Sequence, residues 1–416
     1  MHIQTDADLC LPTIPLTQYQ DWSHHDGARM PVSDIATVAS IHNNVVVPEW
    51  QNITFTGKGR EYFRIWIVNL CLSLATLGIY SAWAKVRRLQ YFDRNTSLAG
   101  AGFNFHGDPR TILRGRIVAV ILLFCYHYLF TFSKSLALTF FVVFLLGVPI
   151  MMRSALRFRL RQTSYRGLRF HFDGSPGGAY RAYLPVAFVV LLPGLAGVLN
   201  PKKPELVTLA FAAYLAWPWL HARMRIYQHG NIRFGQLHSA CDMKGGALGW
   251  SYFAVVLALF CVGVLFFFAM GFGKVIMEKQ APGLWRSLKN AADWVFVLIA
   301  IAATLAGVLV ALACVSYIQA AAWNKSWDAT SFPGMDIDSS LPYWPYWRLQ
   351  VRNFFFTVFS AGLYRPFAVV ALYQFRLRHV RFRTLELDQV SAVQAGGEMQ
   401  ATGDSSADLF GFDLSW

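Results

Sequence analysis

The chain has 416 residues, of which 55% are hydrophobic, 16% aromatic and 14% charged, and its formal net charge is +14. Soluble domains carry about 25% charged residues, so this composition excludes an ordinary soluble protein and indicates an integral membrane protein. The basic residues flank apolar stretches and form no separate basic domain, which argues against nucleic-acid binding.

The two ends of the chain differ from its middle. The first fifty residues are polar and lack the apolar core of a signal peptide, and they predict a disordered segment over residues 1–50. A polytopic membrane domain is predicted for residues 51–383. Residues 384–416 contain six acidic side chains and neither lysine nor arginine, which predicts a flexible acidic tail.

Eight apolar runs approach the roughly 20 residues that a membrane-spanning helix needs. They lie near Phe63–Trp83, Ile117–Phe132, Leu136–Met152, Tyr183–Leu199, Glu205–Leu220, Ala247–Phe272, Asp293–Tyr317 and Asn353–Phe375. The runs predict an all-α fold, a polytopic transmembrane helical bundle of about 6–8 spans.

The first and last runs belong to an internal repeat. Tyr62–Arg94 aligns without a gap with Tyr346–Arg378, and nine of the 33 positions are identical. Chance gives roughly two identities at average residue usage. A repeated apolar segment with basic flanks indicates internal duplication in a membrane protein.

Loops rich in arginine alternate along the chain with loops that carry few basic residues. The rich loops lie at residues 85–116, 153–181 and 223–244, and the positive-inside rule places them in the cytoplasm. Both copies of the repeat are basic at both of their ends, which leaves two arrangements open. In the first, each copy is a re-entrant or interfacial segment that turns at its glycine, beside a core of six spans. In the second, each copy is a full span, and the two copies form an inverted repeat in a protein of eight spans. We favour the first, because it keeps all of these charges in the cytoplasm.

A shorter motif, [IF]-x-F-x-G, precedes several of the runs. It occurs at Ile53–Gly57, Phe103–Gly107 and Phe170–Gly174, with a weaker copy at Gly230–Phe234. Alternation with a period of two that ends in glycine predicts short extended segments in a cytoplasmic layer. The alternative is a set of aromatic anchors at the membrane interface.

Three long segments resemble a known family. They read YFRIWIVNLCLSLATLGIYSAWAKVRRLQYFDRNTSLAGAGFNFHGDP, YIQAAAWNKSWDATSF and AGLYRPFAVVALYQFRLRHV, and they resemble the YjgN-like family of bacterial inner-membrane proteins over roughly residues 51–383. The second copy of the repeat departs from the T-L-G-[IL]-Y-x-x-W motif, with Ala361 for Leu77 and Phe367 for Trp83. The resemblance implies a polytopic inner-membrane protein of a Gram-negative bacterium, and it implies no substrate or activity.

Polar residues inside the apolar runs are the candidate substrate-binding residues. Asn69 and Asn353 occupy equivalent positions in the repeat, and His127 lies in the middle of the second run. With Tyr80 and Tyr364 they would line a polar path or site between the two copies. The alternative remains open that the asparagines only hold helices together and that His127 is a satisfied interface residue.

Four positions of the repeat form its structural motif: Gly78, Trp83, Gly362 and Phe367. The glycines mark either helix breaks of the kind that bind substrate in transporters, or points of close helix packing. No catalytic, phosphate-binding or zinc-binding motif occurs in the sequence, so we expect no enzyme activity, no metal and no cofactor.

Two classes of function survive. The first is a transporter or channel for a small solute or ion, favoured by the glycine-broken repeat and the polar residues in the runs. The second is a non-transporting membrane protein that organises anionic lipid or recruits partners at the cytoplasmic face. The dense cytoplasmic arginines favour the second class, because each attracts anionic lipid by about 1 kcal/mol.

Overall fold

The computed structural model of the protein describes residues 50–199, 202–280, 283 and 293–384. The disordered segment predicted for residues 1–50 and the acidic tail predicted for residues 384–416 lie outside the described residues, apart from Trp50 and Thr384. Within the described residues the fold is mostly helical. The helices follow one another in pairs. The first helix of each pair runs away from a layer of short strands, and the second runs back to it.

The first pair of helices follows strands β1 (Gln51–Asn52) and β2 (Thr54–Phe55). Helix α1 (Gly59–Ala75) ends in a turn, and α2 (Ser81–Arg94) packs back against it. The predicted span Phe63–Trp83 is therefore wrong as a single helix. The 17 residues of α1 rise about 25 Å, which is less than the roughly 30 Å of a bilayer's hydrocarbon core.

The last pair of helices repeats this design. Helices α10 (Tyr343–Phe359) and α11 (Arg365–Leu377) lie between strands β11 (Met335–Ser339) and β12 (Val380–Thr384). The predicted span Asn353–Phe375 is likewise two helices joined by a turn.

Two residues with positive φ produce each of these turns. Leu77 and Gly78 have φ angles of 51° and 90°, and Ala361 and Gly362 have 48° and 91°. In both turns the glycine N–H donates to the carbonyl five residues earlier, at 2.7 Å. Left-handed backbone ends a helix, and glycine adopts it without strain. The two aligned segments thus have the same helix–turn–helix geometry.

The first of three central helix pairs follows a β-hairpin. Strands β3 (Thr96–Leu98) and β4 (Ala101–Phe105) lead into α3 (Pro109–Phe132), and α4 (Lys134–Gln162) returns to the strand layer. The two helices pack against each other.

The second central pair has a broken return limb. Strands β5 (Thr163–Tyr165) and β6 (Leu168–Phe172) precede α5 (Pro176–Leu199), and the return consists of α6 (Pro204–Phe211), a 3-10 turn (Ala212–Ala216) and α7 (Trp217–His229). The predicted run Glu205–Leu220 is therefore wrong as one helix. Pro218 lies in the first turn of α7, where proline is tolerated because that N–H has no helical partner.

The third central pair is the longest. Strands β7 (Ile232–Phe234), β8 (Leu237–His238) and β9 (Ala240–Cys241) lead into α8 (Gly249–Gln280), and α9 (Asp293–Asp328) returns to β10 (Thr330–Ser331).

Four helices among the described residues are long and apolar enough to cross a membrane. They are Leu138–Gln162, Pro176–Gly197, Gly249–Phe268 and Ala300–Asp328. Only 6% of each of the last two windows is buried within the chain. Apolar side chains exposed on this scale are suited to lipid contact. The larger number of 6–8 spans predicted from the sequence is not confirmed.

The strand layer corrects the predicted all-α class. One sheet has seven strands in the order β2-β3-β4-β5-β6-β7-β8, a second has the order β1-β12-β11, and a third pairs β10 with β9. Neighbouring strands are antiparallel. Extended segments beside the helices were predicted, but the short motifs gave no sign that they would pair into continuous sheets.

The [IF]-x-F-x-G motifs are confirmed as strands, and packing explains their glycines. The rings of Phe55, Phe105 and Phe172 lie over the glycine two residues further on, where a Cβ atom would overlap the ring. The strand hairpins between β3 and β4 and between β5 and β6 turn at Ala99-Gly100 and Arg166-Gly167, all with positive φ. Positive φ at both central positions matches the twist of paired strands.

The largest buried cluster lies between α4, α5 and α7. It includes Met152, Leu156, Tyr183, Val186 and Met224. A second cluster joins the end of α9 to the last helix pair and includes Trp323 and Tyr346. The strand-side half of the helices is thus the best-packed part of the described chain.

The beginning and the end of the described chain are in contact. Each helix packs mainly on its neighbours in the chain, and the last helix, α11, packs on the first, α1. The last strand, β12, likewise pairs with the first, β1, which precedes β2 in the chain. The first and last elements of the described chain therefore meet.

Candidate functional site

The two asparagines of the repeat are buried inside their helix pairs. The side-chain amide of Asn353 donates to the carbonyl of Ala368 at 3.4 Å, which joins α10 to α11. Asn69 is buried at the equivalent place on α1. Neither Oδ1 atom has a hydrogen-bond partner among the described residues.

Tyr80 and Tyr364 lie at the turns, away from the strand layer. Each is the residue before the second helix of its pair, and its backbone N–H donates to a hydroxyl, Thr76 Oγ1 at 2.9 Å or Ser360 Oγ at 2.8 Å. The structure therefore places each tyrosine at a turn and each asparagine within a helix pair. A polar path through these four residues stays a prediction.

The remaining predicted residues differ in their surroundings. The Phe367 ring stacks on Phe63, with centroids 5.5 Å apart, and so joins α11 to α1. Trp83 instead packs on the cluster around Ile112. Gly78 and Gly362 make the two turns. His127 belongs to α3, and its side chain lies outside the described part of the structure.

A cavity of about 220 Å³ lies inside the strand layer. Its wall contains side chains from the two larger sheets and from the strand-side ends of α2, α4, α9 and α11. Most are apolar, and many are aromatic, including Phe103, Tyr165, Phe170, Phe234, Trp327 and Phe382.

The aromatic wall is a packed surface. Phe103 lies 4.8 Å from Tyr165 between ring centroids, and Phe170 lies 4.7 Å from Phe234. The hydroxyl of Tyr165 donates to the carbonyl of Leu98 at 2.8 Å. Since hydrogen bonding and ring packing fix these side chains, the cavity is preformed.

Asp93 carries the one formal charge among the described residues that line this cavity. It lies in the last turn of α2, and burial raises the pKa of its carboxyl from 3.8 to about 6, with Arg159 acting in the opposite direction. Its carboxylate has no hydrogen bond or ion pair among the described residues. Leu377 holds the equivalent place in the second copy of the repeat and also lines the cavity.

The hydroxyl groups at the wall are already engaged, whereas Nε1 of Trp323, another lining residue, has no hydrogen-bond partner among the described residues. The hydroxyl of Thr96 donates to the carbonyl of Phe92 at 2.8 Å and lies 3.1 Å from the hydroxyl of Tyr373. The described residues contain no cluster of three His, Cys, Asp or Glu side chains able to hold a metal. The cavity is therefore suited to an apolar molecule with one polar or charged group.

A second, wider cleft of about 670 Å³ lies between the start of α5 and α7. Exposed Arg181 and Arg223 line it. At the start of α5 the hydroxyl of Ser175 accepts the N–H of Gly178 at 3.1 Å. The cleft combines two positive charges with apolar contacts.

Sequence reasoning missed both the cavity and Asp93. The cavity is lined from many separate segments, and the sequence does not show that they converge. One signal was present: Asp93 is an acidic residue at a repeat position where the other copy has a leucine. A second was the spacing of aromatic residues in the strand motifs, whose rings form much of the wall.

The sequence of most of the chain matches a known protein family. A family model described as "Bacterial protein of unknown function (DUF898)" matches residues 51–409. Inner membrane protein YjgN of Salmonella typhimurium is 31% identical over 159 residues, 36% of this chain and 37% of that protein. Inner membrane protein YjgN of Escherichia coli K12 is 30% identical over 161 residues, 37% of this chain and 39% of that protein.

The aligned regions thus span well under half the length of these relatives, which are inner membrane proteins by name. No solved structure matches the chain. The similarity to the two YjgN proteins confirms the resemblance seen in the sequence, and because the family model covers most of the sequence, the chain belongs to the DUF898 family of bacterial proteins.

Proposed function

We propose that the protein is a multi-pass inner-membrane transporter or channel for a small solute, which binds in the cavity of the strand layer. The observation that carries the proposal is the position of this cavity at the strand-side ends of membrane helices. Leu160 at the end of α4 and Trp327 at the end of α9 both line it, and both helices are candidate spans.

Charge and volume support a cytoplasmic solute site. The last turns of α4 carry Arg157, Arg159 and Arg161, and the positive-inside rule assigns such helix ends to the cytoplasm. An apolar cavity of about 150 Å³ is known to hold benzene, so a cavity of about 220 Å³ has room for a somewhat larger molecule.

A cavity-filling variant tests this proposal. Leu98 is buried and lines the cavity, so Leu98→Trp should occupy much of the space. Leu215, which is 76% exposed, provides the matched control Leu215→Trp. The protein would be reconstituted in liposomes, and solute entry from a panel of small neutral and charged solutes would be followed by light scattering.

We expect at least one solute to enter faster than in empty liposomes, and we expect Leu98→Trp, but not Leu215→Trp, to abolish that excess. Absence of any excess flux in the wild-type protein would contradict transport. Equal flux in the two variants would show that the cavity is not on the path.

The cleft between α5 and α7 favours a second candidate function, that of a membrane protein that organises anionic lipid or recruits partners. Arg181 and Arg223 would each attract an anionic headgroup by about 1 kcal/mol. In nanodiscs with equal anionic and zwitterionic lipid, the double variant Arg181→Gln/Arg223→Gln should retain less anionic lipid on purification. Retention equal to wild type would remove this candidate.

A further inference from the structure

We propose that the cavity of the strand layer is a binding site for a small organic cation with an apolar, ring-sized body, and that Asp93 is its counter-ion. A protonated benzylic amine, whose nitrogen is one carbon away from the ring, is the simplest member of this class. The proposal rests on the proposed function only for the further statement that this cation is the transported solute. Binding itself can be measured without transport.

The aromatic wall is the first reason. Cations bind over the faces of aromatic rings, and the attraction reaches about 2 kcal/mol when the site excludes water. Phe103, Phe170 and Phe234 come from three different strands and line the same space. Preformed rings around a cavity provide several such faces at once.

The unpaired carboxylate is the second reason. Asp93 lines the cavity without a hydrogen bond or ion pair among the described residues. Leaving a carboxylate unpaired in an apolar environment is costly. A cationic ligand would supply the missing partner, whereas a neutral apolar ligand would not.

The lining of the cavity argues against an anion. Arg159 of α4 acts on Asp93, and Arg376 of α11 lies over the ring of Trp323 at 5.4 Å from its centroid. Neither arginine is among the residues that line the cavity. An anion in the cavity would therefore meet the Asp93 carboxylate with no guanidinium at the wall to bind it.

Three ligands of nearly equal size and different charge test the inference. Benzylamine is a cation at pH 7.5, benzyl alcohol is neutral, and benzoate is an anion. Their affinities for the purified protein in mild detergent would be measured by isothermal titration calorimetry. We expect the order benzylamine, benzyl alcohol, benzoate, with benzylamine favoured over benzyl alcohol by about tenfold or more.

Two variants and one control locate the binding. Asp93→Asn should weaken benzylamine by about tenfold and leave benzyl alcohol unchanged. Asp108→Asn alters an exposed aspartate that caps α3 outside the cavity and should leave all three affinities unchanged. Phe170→Leu keeps the wall apolar but removes one ring face, so it should weaken benzylamine more than benzyl alcohol.

The inference is overturned if none of the ligands binds, if benzyl alcohol or benzoate binds as tightly as benzylamine, or if Asp93→Asn and Asp108→Asn behave alike. Benzylamine binding without any solute flux in liposomes would contradict the transport proposal and leave the site standing. If the protein does not bind benzylamine, and if Asp93→Asn does not change solute flux in liposomes, the binding site is contradicted and the transport proposal stands.

Discussion

Replacing Asp93 with asparagine is expected to stabilise the protein at neutral pH, although it removes the charge on which ligand binding depends. Burial raises the pKa of this carboxyl from 3.8 to about 6, so the folded protein holds the proton more tightly than the unfolded chain. One pKa unit corresponds to about 1.4 kcal/mol, and the shift of about two units therefore amounts to roughly 3 kcal/mol.

The sign of the effect sets the pH window. The stabilising contribution of the protonated carboxyl is fully present below about pH 4 and is lost as the pH rises through about 6. Asparagine is neutral at every pH and keeps a similar shape. The variant should therefore match the wild type near pH 4 and exceed it by roughly 3 kcal/mol in unfolding free energy near pH 8.

Urea unfolding in mild detergent, followed by tryptophan fluorescence at pH 4.5, 6 and 8, measures the difference. Asp108→Asn is the control, because it makes the same substitution at an exposed aspartate outside the cavity. If Asp93→Asn is no more stable than wild type at pH 8, or if the gap is the same at all three pH values, the carboxyl is not held in an environment that disfavours its charge.

Two further predictions concern the turn of the repeat and the side of the membrane. Gly362→Ala should destabilise the protein by about 1–2 kcal/mol in urea unfolding, because its φ of 91° is strained for alanine although no atom crowds a Cβ there. The control Gly245→Ala, at a glycine that is also uncrowded and has no positive φ, should leave the unfolding free energy unchanged. Equal effects of the two substitutions would refute the strain argument. In a cysteine-free background, Arg169→Cys in β6 should resist an impermeant thiol reagent in intact cells, whereas Lys203→Cys at the opposite end of the helices should react. Labelling at position 169 would place the strand layer outside the cytoplasm.

The sequence predicted the elements whose signals are local. The strand motifs were recognisable because Phe55, Phe105 and Phe172 pack on the next glycine but one, a contact that fixes both residue types at a constant spacing. The turns at Gly78 and Gly362 were recognisable for a similar reason, since left-handed backbone selects glycine. The charges at both ends of each copy favoured a chain that turns back.

Features set by long-range contacts were beyond the sequence. The apolar runs Phe63–Trp83 and Asn353–Phe375 have the composition of spans, and hydropathy does not register a reversal within them. Pairing of two- and three-residue strands into a seven-stranded sheet depends on partners far along the chain. Asp93 could not be identified as a site residue because the other walls of its cavity come from distant elements.

The pairing of β12 with β1 has a consequence for synthesis of the protein. Gln51 lies opposite Phe382, and Asn52 lies opposite Arg381, so the first described strand pairs with the last one and is synthesised long before it. Contacts between such distant residues form slowly. While the chain grows, the apolar wall around Asp93 lacks Val380 and Phe382 and is open on that side. A chain truncated before residue 380 would therefore lack both the strand that pairs with β1 and two side chains of the pocket wall.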